Sequence, residues 1–265
     1  MPYARVNDIN IYYEIHGEGY PLVLIGGLGS QIQSWATQVS VYSRYFKVIV
    51  FDNRGAGRTD KPDVPYTIEL MADDTAGLLD FLGIDSAYVA GKSMGGMIAQ
   101  WLAIKYPDRV RKLVLACTSA SRDEVGNEIL RIGREVATKM GMKYVWLIAL
   151  FWGYTREYIE KNLGSIREAL AMVEDSLESI RGYIRQSLAC EKHDTRELVT
   201  RIKCPTLVMI GNRDLIVSPK RSIELAELIP NAQLEVFDGV GHGFWRERQE
   251  EVDRVVLNFL LGGIS

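Results

Sequence analysis

The chain is predicted to be an α/β protein: a mostly parallel central sheet flanked by helices and interrupted once by an all-helical insertion. Three observations lead there. Apolar runs of strand length alternate with helix-period segments over residues 21–117 and again over 204–261. Between about Ser121 and Arg201 the strand signals stop and only helical periodicity remains. The strand-like runs end in short turns rich in Gly and Asp, where open α/β sheets gather their ligands. A length of 265 residues accommodates one large domain carrying such an insertion. The expected division is 1–121 with 201–265 as the sheet core, and 122–200 as a helical cap.

Taken in order, Asn10, Tyr12 and Glu14 alternate with Ile11, Tyr13 and Ile15 after a turn at Asn7-Asp8, which suggests an antiparallel hairpin. Pro21 to Ile25 is a continuous apolar run suited to burial on both faces. It breaks at Gly26-Gly27-Leu28-Gly29-Ser30, and a helical pattern follows through Trp35, Val39 and Tyr42. Phe46 to Phe51 is the next strand, and Thr67 can cap a helix that stops near Gly83. Ala87 to Ala90 reads as a strand, with a helix starting near Gly96 and closing at Tyr106-Pro107. Val110 to Cys117 is another strand. The insertion carries helical repeats at Ile129 to Met140, Tyr144 to Phe151, and a single run from Ile166 through Ile184. A strand from Cys204 to Ile210, a helix from Pro219 to Leu228, a strand from Gln233 to Phe237 and a helix from Glu250 to Leu261 complete the chain.

Composition narrows the function. A net charge of −3 gives no reason to expect a nucleic-acid or anionic-membrane partner. The first residues lack the apolar core of a secretory signal, and Val145 to Trp152 is too short to span a bilayer. Cys117, Cys190 and Cys204 form no evident disulfide framework and suit small buried thiols in a reducing compartment. A cytoplasmic protein is expected.

Gly91-Lys92-Ser93-Met94-Gly95 falls between a strand and a helix. A G-x-S-x-G turn in that setting exposes its serine, and the flanking glycines leave room for the strained bend. The same residues imitate the end of a phosphate-binding loop, but that motif needs glycine at position 86, which is Ser86. Gly27-Leu28-Gly29 likewise imitates a dinucleotide fingerprint, whose third glycine is missing because position 32 is Ile32. A serine hydroxyl becomes a good nucleophile when a base takes its proton and a carboxylate fixes that base's tautomer. Of the three histidines, His242 alone lies in a glycine-flanked loop just after a predicted core strand; His16 and His193 read as polar surface positions. Asp214 follows the strand ending at Ile210, with Asp52 a rival carboxylate at another strand end.

The order Ser93, Asp214, His242, the elbow and the parallel-sheet rhythm together resemble the α/β-hydrolase family over nearly the whole chain. Phe51-Asp52-Asn53-Arg54-Gly55-Ala56-Gly57-Arg58, Gly91 to Gly96, and Gly241-His242-Gly243-Phe244 look most like its small carboxylesterases and enol-lactone hydrolases. The resemblance implies Ser93 as nucleophile, His242 as base and Asp214 as the orienting acid, leaving Asp52 to brace Arg54 or a loop. It also implies an oxyanion hole from the backbone N–H groups of Leu28 and Met94. The chemistry implied is hydrolysis of a small-molecule acyl ester through an acyl-enzyme, with no metal or organic cofactor, by a monomer or small homo-oligomer. Ser93 at the elbow argues against dehalogenase and epoxide-hydrolase chemistry, which use aspartate there. Enol-lactone, thioester and carbon–carbon bond hydrolysis share the triad, as does a peroxidase side activity. A receptor on this fold would keep the triad and turn over little.

Gly27, Trp146, Phe151, Trp152 and Trp245 are candidate pocket residues, and the insertion aromatics also suit a core. Lys92 reads as a snorkelling surface amine, or alternatively as a charge that lowers the pKa of His242.

Overall fold

The computed structural model describes residues 2–262. An eight-stranded sheet runs β1 (Tyr3–Val6), β2 (Ile9–His16), β3 (Pro21–Ile25), β4 (Lys47–Phe51), β5 (Ala87–Lys92), β6 (Val110–Ala116), β7 (Thr206–Gly211) and β8 (Ala232–Phe237). Its spatial order is β1-β2-β4-β3-β5-β6-β7-β8. The expected hairpin forms: β1 pairs antiparallel with β2, and β2 antiparallel with β4. All other neighbours are parallel. The continuous apolar runs explain this. Leu22 to Ile25, Val48 to Phe51 and every residue of β7 are buried, since helices cover both faces.

The covering helices of the first half are α1 (Ala36–Tyr42), α2 (Ile68–Phe81) and α3 (Met94–Lys105). Thr67 caps α2, its hydroxyl accepting the Leu70 N–H at 3.0 Å. α3 is buried nearly all round because it packs against α2 on one side and the sheet on the other. It begins at Met94, two residues before the sequence suggests, so the serine itself occupies the position ahead of the helix.

Between β6 and β7 lie α4 (Glu124–Met140), α5 (Met142–Gly153), α6 (Arg156–Lys161), α7 (Leu163–Ala171) and α8 (Leu177–Glu191). An isolated antiparallel bridge, Ser121 to Asp194, ties the two ends of this segment together. The run expected from Ile166 to Ile184 is broken between α7 and α8. There the Asp175 carboxylate accepts the Met142 N–H at 2.6 Å, and Ser176 caps α8 through the Ser179 N–H at 3.1 Å. α9 (Pro219–Leu228), α10 (Phe244–Glu247) and α11 (Gln249–Leu261) finish the fold. α6 and α10 are too short to register as a helical period.

Two apolar clusters sandwich the sheet. One gathers α2, α3 and α9; the other gathers Trp35, Tyr42, Phe244 and the inner face of α11. Arg54 is buried, yet its partners are Asp74 at 2.7 and 2.8 Å and Asp8 at 2.8 Å, rather than Asp52. Among the described residues no helix is long and apolar enough to cross a membrane.

Candidate active site

At the end of β5 the chain turns through Ser93 at φ 55°, ψ −121°, a conformation that only the surrounding packing can hold in a side-chain-bearing residue. Two glycines make the turn possible. A Cβ on Gly91 would stand 2.2 Å from the Gly95 carbonyl oxygen, and one on Gly95 would stand 2.1 Å from that of Ile25. The start of α3 is thereby pressed against the end of β3. The loop leaving β3 passes the serine closely, since a Cβ on Gly27 would lie 3.4 Å from the Ser93 Cβ. Neither the Leu28 nor the Met94 N–H has an acceptor among the described residues. Loop rigidity comes from Asn53, whose side-chain amide donates to the Gly26 carbonyl at 3.0 Å, and from the Ser30 N–H donating to Gly27 at 3.1 Å.

His242, in the loop before α10, places Nδ1 2.7 Å from Asp214 Oδ2. Asp214 is fully buried at its side chain, and its other oxygen accepts the N–H groups of Ile216 (2.8 Å) and Val217 (2.9 Å). The carboxylate is therefore fixed by the loop that follows β7. Burial alone would push the imidazole pKa down. The Asp214 charge and hydrogen bond, and the Cys117 thiol beside the ring, outweigh that and hold it well above its usual value. Ser93 and His242 line one cavity, but no hydrogen bond joins their side chains within 3.5 Å among the described residues. Cys117, read from sequence as a small buried thiol, is buried; it sits just beyond the end of β6 with φ 44° and also lines that cavity. Its position one residue beyond a core strand is the signal that could have marked it.

The cavity measures about 730 Å³ and lies between the sheet rim and helices α4, α5, α7 and α8. Gly27, Trp146, Trp152 and Trp245 line it. Phe151 does not: it stands on the outer side of α5 and is 61% exposed. Asp52 braces a loop, accepting the Ile32 N–H at 2.8 Å and the Arg58 N–H at 2.9 Å. His193 is buried instead of lying at the surface, and burial pushes its pKa down to about 4. His16 keeps a half-exposed place beside Glu14.

Lys92 also departs from expectation. Alternation along β5 sends its side chain to the opposite face from Gly91, toward the turn before α1 that carries Ser34 and Trp35. Its ammonium donates to the Ser34 carbonyl at 2.9 Å and lies 4.1 Å from the centre of the Trp35 ring. Burial, with Arg246 nearby, pushes its pKa down to about 7. The snorkelling reading is therefore wrong, and His242 is raised rather than lowered.

Comparison with known proteins agrees with this architecture. A family model described as the alpha/beta hydrolase fold matches residues 20–145. The chain is 31% identical over 260 residues to "Putative carbamate hydrolase RutD" of Azorhizobium caulinodans, covering 98% of each. It is 32% identical over 265 residues to 2-hydroxymuconate semialdehyde hydrolase of Pseudomonas putida, covering 92% of this chain and 88% of the relative. Among solved structures, the enol-lactonase of Burkholderia xenovorans LB400 superposes with a TM-score of 0.91 at 31% identity, over 98% of this chain and 100% of that one. This chain is a hydrolase and belongs to the α/β-hydrolase family.

Proposed function

We propose that the protein is a serine hydrolase that cleaves carboxylic esters, enol-lactones included, through an acyl-enzyme on Ser93. The observation that carries the reading is the His242–Asp214 pair, 2.7 Å apart, opening on the same cavity as a serine held at positive φ on a strand-to-helix turn. Asp214 accepts the hydrogen bond from Nδ1–H, which keeps the proton on Nδ1 and leaves the Nε2 lone pair free to act as a base. Ser93 Oγ attacks the carbonyl carbon, and its proton passes to Nε2. The carbonyl oxygen becomes an oxyanion facing the unpaired N–H groups of Leu28 and Met94, each worth about 3 kcal/mol in the transition state. His242 then returns the proton to the leaving alkoxide. Water, deprotonated by the same imidazole, attacks the acyl carbon; the bond to Ser93 Oγ breaks, that oxygen takes the proton back from the imidazole, and the acid is released. The Ser93–His242 bond missing within 3.5 Å belongs to the substrate complex in this scheme, because such bonds are often long in unliganded sites.

An enol-lactone is an internal ester and asks nothing further of these groups, and the similarity to an enol-lactonase along the whole chain supports including it. Hydrolysis of short 4-nitrophenyl esters and of a five-membered enol-lactone tests the reading. The purified protein should turn over at least one of them at about 1 per second or faster. Ser93→Ala should remove that activity by about 10⁶-fold in kcat. A rate in Ser93→Ala close to the parent's would overturn it, and turnover confined to a single event would indicate a small-molecule receptor instead.

A further inference from the structure

Tyr183 of α8 is 6% exposed, and its hydroxyl has no hydrogen-bond partner within 3.5 Å among the described residues. Unlike the sealed hydroxyl of Tyr42, this one keeps an open side, toward the cavity that the residue lines. Burial, with the Cys190 thiol nearby, raises its pKa, so the phenol stays neutral and able to donate.

The ring is flanked at both ends by positions without a side chain. A Cβ on Gly29 would stand 3.2 Å from Cδ2, and one on Gly133 would stand 2.4 Å from the hydroxyl oxygen. Gly133 lies inside α4, where glycine is a poorer helix former than alanine, and its missing methyl leaves room for the hydroxyl. Leu28 packs on the small cluster to which Tyr183 belongs, and Gln186, one turn along α8, accepts from the Gly29 N–H. The phenol thus runs from the loop that carries the Leu28 N–H across to α4.

Packing does not account for the oxygen. Phenylalanine would fill the same space, whereas a buried hydroxyl without a partner loses its bonds to water uncompensated. The other phenols of the wall, Tyr154 and Tyr158, are only half-buried, so water reaches them. Arg122 also lines the cavity, but its Nη2 is taken by the carbonyls of Gly126 and Ile216 and its Nε is sealed from solvent. Val136, Met142, Val145 and Trp146 share this part of the wall. One neutral donor in an apolar wall suits an uncharged acceptor oxygen; a carboxylate would lose far more hydration there than one phenol returns.

We propose that the Tyr183 hydroxyl is a specificity-determining donor, and that the substrates carry, on an otherwise apolar chain, an uncharged oxygen (ether, ketone or hydroxyl) that it holds. The ester part of this statement rests on the function proposed above; the binding of the neutral oxygen does not. With the scissile carbonyl at the Leu28 and Met94 N–H groups, that chain passes along the phenol ring under the insertion, and its oxygen accepts from the hydroxyl.

Chains in which one methylene becomes an ether oxygen change polarity at nearly constant size. 4-Nitrophenyl pentanoate, hexanoate and heptanoate, paired with the 3-methoxypropanoate, 4-methoxybutanoate and 5-methoxypentanoate, place that oxygen at three distances on the acyl side. Butyl and pentyl butyrate, paired with 2-methoxyethyl and 3-methoxypropyl butyrate, do so on the alcohol side. After division by each ester's hydroxide-catalysed rate, at least one ether should exceed its methylene partner in kcat/KM by about fivefold, the strength of one net hydrogen bond. In Tyr183→Phe that ratio should fall to about one or below. The urea midpoint of Tyr183→Phe should be no lower than the parent's, because the lost hydroxyl holds nothing in the folded chain. Independently of turnover, tryptophan fluorescence of Ser93→Ala, titrated with the methyl esters of the same acids and with the same butyrates, should show the preference as a ratio of Kd. That ratio should vanish in Ser93→Ala/Tyr183→Phe. Trp146, which meets Gly29 beside Tyr183, supplies the signal. No preference in any pair, in kinetics or in Kd, would overturn the proposal. So would a preference that Tyr183→Phe leaves unchanged, or a lower urea midpoint in that variant. The Kd preference without any ester turnover would instead refute only the esterase reading.

Discussion

His242 carries the sharpest consequence at the level of a single side chain. In the proposed mechanism it works as a base only when neutral, and Asp214 together with Cys117 holds its pKa well above the usual value against the opposing effect of burial. Activity should therefore fall as pH drops through a value above 6.5, the ordinary imidazole pKa. Asp214→Asn removes the charge that raises it. The acid limb of the kcat/KM profile should then move to lower pH while kcat falls by about 10⁴-fold, the loss typical of a triad without its carboxylate. A limb that stays in place in Asp214→Asn would mean that another group sets it. Cys117→Ala should move the limb in the same direction by a smaller amount, because the thiol is the secondary influence. His193 shows the reverse linkage. Its folded pKa is pushed down to about 4, so it enters the fold neutral. The stability it contributes is fully present above its unfolded pKa of about 6.5 and is lost as pH falls from there toward 4, on the order of 3 kcal/mol in all. Urea unfolding of His193→Gln should show a shallower loss of stability across that window than the parent protein.

Among the elements, the joint between β5 and α3 decides the site. Gly95 is the point at which α3 meets the end of β3, with backbone oxygens of Ile25 and Gly26 at 2.1 and 2.7 Å from where a methyl would sit. Neither oxygen can swing aside as a side chain would. Gly95→Ala should destabilise the protein by about 1–3 kcal/mol, the usual range for overpacking. It should also lower kcat more than it raises KM, since the helix start that carries the Met94 N–H must retreat from the loop that carries Leu28. Denaturant midpoints and steady-state kinetics on the same preparation separate the two effects. This joint was legible in the sequence because its cause is local: a strand run, two glycines around a serine, then a helix. The same holds for the hairpin at Asn7-Asp8, the Thr67 cap and the Pro219 helix start. Features with distant causes were not legible. The gap between α7 and α8 depends on Asp175 reaching Met142, 33 residues away. Phe151 and Trp152 are adjacent in one apolar helix, and only the packing of α5 decides which of them faces the cavity. Lys92 can be assigned to a strand face by alternation, but what covers that face is Trp35 and Ser34, nearly sixty positions earlier.

For the molecule as a whole, the site exists only where the insertion meets the sheet, and Gln186 is one of several residues that fasten the two. Gln186 of α8 is fully buried. Its side-chain oxygen accepts the Gly29 N–H at 2.8 Å, and its amide donates to the Arg54 carbonyl at 2.6 Å. Gly29 is the neighbour of Leu28, so the insertion sets the loop that presents one of the two unpaired N–H groups to Ser93. Arg54 is in turn fixed by Asp74 and Asp8 at the base of the fold, so the path from core to insertion is a chain of buried hydrogen bonds. Replacing Gln186 by Leu keeps the volume but strands one donor and one acceptor away from water, each costing about 1–3 kcal/mol. Stability should drop accordingly, and by more than in Gln186→Glu, which can still accept from Gly29. The kinetic signature differs from that of a general loss of fold. In the proposed mechanism a loosened loop weakens the oxyanion contact, which forms only in the transition state, so kcat should fall by ten- to a hundredfold in Gln186→Leu with KM within about threefold of the parent. Gln186→Glu should recover most of that kcat. Equal kinetic losses in both variants would show that Gln186 holds the insertion in place without positioning the loop.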